Sequence, residues 1–90
     1  MVHMFELTPV DGRKSFYGKC FFSGNPACYT LYSYGTPVAR YDLDGFTRLW
    51  GGYSVTTLRH INAFVLQMGH TSGGKAWWDS LPVGVPVKIV

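Results

Sequence analysis

Ninety residues, 47% hydrophobic, 17% aromatic and only 14% charged, describe one folded domain with a thin core and exclude a disordered chain. The net charge of +3 gives little support to a dedicated nucleic-acid module. The longest basic run is Arg13-Lys14, and Lys19, Arg40, Arg48, Arg59, Lys75 and Lys88 are scattered singly.

Residues 1–13 read as a lead-in, with turn chemistry in "PVDG" at 9–12. The opening residues lack a charged segment followed by an apolar one, and no apolar run nears the roughly 18 residues of a membrane span. A cytoplasmic protein with no membrane partner is therefore expected, with Cys20 and Cys28 reduced. "KSFYGKCFF" (14–22) is rich in rings and reads as a strand ending at the turn formers "SGNP" (23–26). In the stretch 27–43, Tyr29 and Leu31 alternate with Cys28, Thr30, Tyr32 and Tyr34, as strand residues do. Gly35-Thr36-Pro37 interrupts it, either as a bulge in one bent strand or as a turn between two. The bent strand is favoured, because Val38, Ala39 and Tyr41 resume the pattern at once. "DLDG" (42–45) is a hairpin signal, and "FTRLW" (46–50) is the returning strand.

A helix is expected over 56–68. At 100° per residue, Leu58, Ile61, Phe64, Val65 and Met68 share a sector of about 120°. Ser54, Thr56 or Thr57 can cap its start, and Gly69 stands where a left-handed terminating residue belongs. Residues 70–90 carry Gly73-Gly74, Pro82 and Pro86 and read as a loop, a short turn at Trp77-Trp78 and an extended C-terminal arm. Within that arm, "VKIV" is a candidate edge strand. The expected fold is α+β: a small antiparallel sheet of three or four strands (14–50) with one amphipathic helix packed on one face.

The hydroxyls at the start of the helix outnumber what capping needs. Thr56, Thr57, Arg59 and His60, bordered by Tyr34 and Thr36, are candidate anion or ligand contacts, since hydroxyls, open amides and a guanidinium suit a phosphate or carboxylate. Two adjacent tryptophans are hard to bury together, so one is expected to cover the end of the core and the other to be exposed; Trp77 and Trp78, with Lys75 beside them, are the candidate partner-binding surface. His3, His60 and His70 stand at no metal-ligand spacing and no C-x-x-C occurs, so no metal is expected. There is no G-x-S-x-G, phosphate loop, dinucleotide fingerprint or H-E-x-x-H, and His60 has no acid near it in sequence. A non-enzymatic protein without a cofactor is expected.

Two stretches carry a resemblance. Leu31, Ser33, Tyr34, Thr36, Val38 and Ala39 form L-x-S-Y-x-T-x-V-A, and Tyr53, Ser54, Thr56, Thr57, His60, Ile61 and Asn62 form Y-S-x-T-T-x-x-H-I-N. Together they resemble a group of small proteins of bacteriophages, plasmids and other mobile elements. The resemblance implies genetic context and assigns no residue a role. By analogy with small phage proteins that lack catalytic motifs, it implies a binding protein that inhibits or modulates a host defence system through a host protein. The alternatives are a nucleic-acid-binding regulator using Arg40, Arg48 and Arg59 with sheet tyrosines, or a nucleotide-sequestering sponge at the helix start.

Overall fold

The computed structural model describes residues 4–7, 19–25 and 27–89. Five strands, β1 (Met4–Glu6), β2 (Cys20–Asn25), β3 (Cys28–Ser33), β4 (Thr36–Asp42) and β5 (Gly45–Arg48), precede two helices, α1 (Val55–Gln67) and α2 (Gly74–Ser80). The strands pair antiparallel in chain order, a meander. The α+β class holds, but the sheet has five strands where three or four were expected. The added strand comes from the lead-in: Met4, Phe5 and Glu6 lie opposite Ser23, Phe22 and Phe21. Phe5 stacks on Phe22 with ring centroids 5.0 Å apart, a cross-strand contact that three residues of alternation do not announce. The "PVDG" turn and residues 14–18 of the expected first strand lie outside the described residues. "SGNP" is not a turn throughout, because β2 runs on to Asn25, which pairs with Cys28.

Residues 27–43 form two strands and not one bent one. Tyr34 (φ 53°) and Gly35 (φ 79°) are both left-handed, as the centre of a two-residue hairpin of the favoured twist requires. Gly35 meets that demand without cost, whereas Tyr34 is a sparsely populated conformation for a ring-bearing residue. The Tyr34 N–H donates to the Lys19 carbonyl at 2.8 Å and helps hold the turn. Beyond it the register slips: Leu31 faces Ala39 but Tyr32 faces Pro37, leaving Val38 as an extra residue. Pro37 thus sits beside a bulge, where a missing ladder donor is tolerated. The Val38 carbonyl is not wasted, since it accepts from the N–H groups of Leu49 and Trp50.

The Asp-Gly hairpin forms as expected, with Asp42 opposite Gly45 and the Asp42 carboxylate accepting the Asp44 N–H at 2.9 Å. The chain end then returns along β5. Phe46 and Val87 exchange both backbone hydrogen bonds (2.7 and 2.8 Å), and Val83 bridges Arg48. The expected edge strand is therefore reduced to single bridges. Gly45 (φ 124°) is squeezed between these segments, and a Cβ there would stand 2.3 Å from the Val87 carbonyl oxygen. Gly45→Ala is expected to cost roughly 2 kcal/mol or more, read as a lower urea midpoint.

α1 spans Val55–Gln67, one residue earlier than 56–68 at each end. Ser54 is its cap, its Oγ accepting the Thr57 N–H at 3.0 Å, and Gly69 (φ 87°) follows its end. Ile61, Phe64 and Val65 are fully buried, with Leu58 and Met68 packed against them. Phe64 meets Phe22 at 6.0 Å, which seats the helix over β2 and β3. α2 stands where a loop and turn were expected. Its rings carry it: Trp77 and Trp78 pack on Phe46 at 5.3 and 6.5 Å, covering the β5 side that α1 leaves open.

Candidate functional site

The hairpin turn, the bulge and the start of α1 converge on one cavity of about 290 Å³. Ser33 ends β3, Tyr34 comes from the turn, Thr36 begins β4, and Val38 is the bulge residue. Trp50 and Tyr53 belong to the β5–α1 connection, Ser54 is the cap of α1 and Thr57 stands in its first turn. Every one of these side chains is uncharged. All except Trp50 belong to the two motif stretches, which are more than a dozen positions apart in sequence and meet only in the fold.

Behind the wall lies a buried polar chain. Ser33 Oγ is 2.7 Å from His60 Nδ1 and 3.1 Å from Thr57 Oγ1. It ties α1 to β3 through groups that would each be costly to bury unpaired. The Tyr34 ring lies over His60, with centroids 5.7 Å apart. His60 is wholly buried. Burial first, and the neighbouring Arg59 second, push its pKa down to about 4, so the imidazole is neutral at physiological pH. The unfolded chain, with the ordinary value of 6.5, takes up its proton first as pH falls. His60 therefore removes stability progressively between about pH 6.5 and 4, by up to ~3 kcal/mol. Urea titrations of wild type and His60→Gln should show stabilities that differ less and less as pH drops through that window. A constant difference would refute this.

The expected anion contacts are thus divided. Tyr34, Thr36 and Thr57 line the cavity, His60 stands behind it as a neutral group, and Thr56 and Arg59 are half-buried on α1 outside the lining. The cavity offers hydroxyls and rings, with no counter-charge in its wall. Sequence reasoning did not single out Ser33, Val38, Trp50 or Tyr53 as lining residues. One signal was available for Ser33, a serine two residues from Leu31 and so on the buried face of β3.

The expected partner surface needs correction. Trp78 is fully buried and donates its indole N–H to the Gly52 carbonyl at 2.9 Å. It is core and offers a partner nothing. Trp77 is half-buried against Phe46, and Lys75 alone of the three is exposed. Its Nζ is 2.6 Å from Asp79 and 4.9 Å from the Tyr53 ring centre, and the Asp79 carboxylate holds the ammonium pKa above its ordinary value.

Arg48 is corrected too. Only 6% exposed, it donates to the carbonyls of Trp50 (2.9 Å), Trp78 (2.7 Å) and Gly52 (3.1 Å) and covers the Trp78 ring at 4.4 Å. It is a structural brace that no phosphate can reach. Arg40 Nε lies 3.2 Å from an Asp42 carboxylate oxygen.

The match to known families spans both motif stretches and α2. The chain belongs to a family of unknown function, DUF8033, whose model matches residues 5–80. No curated protein and no solved structure matches it. Among the described residues no helix is long and apolar enough to cross a membrane, and no three of His, Cys, Asp and Glu gather as a metal site would require. Cys20 and Cys28 are free thiols, and burial pushes the Cys20 pKa up to about 12, which leaves it unreactive.

Proposed function

We propose that this chain is a non-enzymatic binding protein of a phage or other mobile element, which inhibits or modulates a host system by engaging a protein target through the cavity at the start of α1. The observation that carries the binding half is the cavity itself. Its wall mixes rings (Tyr34, Trp50, Tyr53) with hydroxyls (Ser33, Thr36, Ser54, Thr57) and bears no charge. Such a concave, half-apolar surface is what a buried anchor residue of a protein partner requires. The two motif stretches supply the mobile-element half by resemblance.

Burial of Arg48 and pairing of Arg40 weigh against two of the three arginines on which the nucleic-acid alternative rests. The nucleotide alternative lacks a counter-charge in the cavity wall. Salt separates these readings. A tagged chain is used for capture from bacterial lysate at moderate and high salt, and the eluates are examined for protein, nucleic acid and nucleotides. A discrete protein retained at high salt is expected, because an uncharged contact is not screened. Nucleic acid lost steeply as salt rises would replace this reading with the nucleic-acid one, and a co-purifying nucleotide alone would replace it with the sponge.

A further inference from the structure

We infer, resting on that binding reading, that the cavity receives one tyrosine-like phenol presented by the partner protein. Size limits the occupant: about 290 Å³ is at the small end of ligand sites, which start near ~300 Å³, and suits a single side chain. Charge limits it further. An ammonium or carboxylate entering this wall would lose its hydration and meet no opposite charge, so the occupant is neutral. The rings of Trp50, Tyr34 and Tyr53 with Val38 favour a planar apolar body.

The polar chain behind the wall selects the tip. If Ser33 donates to His60 Nδ1, then Thr57 donates to Ser33, and the chain ends on Thr57 lone pairs that want a donor. If His60 donates to Ser33, the Ser33 O–H is free to donate to Thr57, and in that arrangement the chain ends on a Thr57 O–H that wants an acceptor. A hydroxyl satisfies both arrangements. A carbonyl satisfies only the second, and an N–H only the first. A ring carrying a hydroxyl at its far end meets the size, charge, wall and tip requirements together.

The test is an amide-resolved NMR titration of the full chain with N-acetyl-tyrosine amide, N-acetyl-phenylalanine amide and uridine. The tyrosine amide should shift the backbone signals of Tyr34, Thr36, Ser54 and Thr57 and the Trp50 indole signal. It should bind at least about fivefold tighter than the phenylalanine amide, as one net hydrogen bond allows. Thr57→Val should abolish that preference and Thr57→Ser should keep it. Equal binding of the two amides, or no response at these signals, would overturn the phenol assignment. Capture of a protein target would be untouched by either result. Binding of uridine alone would overturn both.

Discussion

Arg48→Met is expected to cost about 3–5 kcal/mol, a large share of the roughly 5–13 kcal/mol expected of a domain this size. The substitution keeps most of the stem and removes the fork. From a position only 6% exposed, the guanidinium donates to three carbonyls; its loss strands that of Trp50, while those of Gly52 and Trp78 lose a charged donor and keep the Trp78 indole N–H and the Leu81 N–H. The carbonyl left buried without a donor costs ~1–3 kcal/mol, and each hydrogen bond lost from a charged donor about 1.5–3 kcal/mol. Arg48→Lys should rescue little, because one ammonium on a flexible stem cannot reach carbonyls arranged around a planar fork. Urea denaturation of the three proteins checks this. A methionine variant within 1 kcal/mol of wild type would show, by the same magnitudes, that water replaces the fork without loss.

Trp78→Ala should be nearly as damaging, at ~3–5 kcal/mol. It removes a fully buried indole that packs on Phe46, underlies Arg48 and donates to Gly52. Trp77→Ala, at a half-buried position, should cost only ~1–2 kcal/mol. The contrast bears on function as well as stability. Had the tryptophan pair been the contact surface, removing both would have abolished binding in a folded protein. With Trp78 in the core, loss of binding in that double variant reports unfolding. Comparable, mild destabilisation by the two single variants would return Trp78 to the surface.

What the sequence made legible follows from how each element is encoded. α1 carries its own evidence, because Leu58, Ile61, Phe64, Val65 and Met68 repeat at helical spacing and Ser54 and Gly69 bracket it. The β4–β5 hairpin is equally local, since Asp44-Gly45 encodes its turn. The Tyr34-Gly35 turn is not, because tyrosine rarely adopts positive φ and Thr36-Pro37 imitates a bulge, which the chain also contains one residue later. β1 and α2 are too short to show a period. Their reasons are tertiary: Phe5 on Phe22, and two indoles on Phe46. The site was half legible. More hydroxyls than capping needs pointed to the helix start, and Tyr34 and Thr36 do face Ser54 and Thr57 across the cavity. Trp50 reads simply as the end of a strand. The burial of His60 and Arg48 depends on a serine and on carbonyls that no sequence period places.

The central claim is that the cavity, not the α2 surface, contacts the partner. The most direct measurement is the affinity of the purified target for wild type, Thr36→Arg and Lys75→Ala, each first shown to be folded by circular dichroism. Thr36 is an exposed lining residue, so an arginine there fills the mouth with a charge and spares the core. Lys75 stands on α2, outside the lining. Binding weakened at least about tenfold, or ~1.4 kcal/mol, by Thr36→Arg and by less than about threefold by Lys75→Ala, whose ammonium only flanks the Tyr53 ring, is the predicted result. Full affinity in Thr36→Arg, with loss in Lys75→Ala, would contradict it and move the contact to α2.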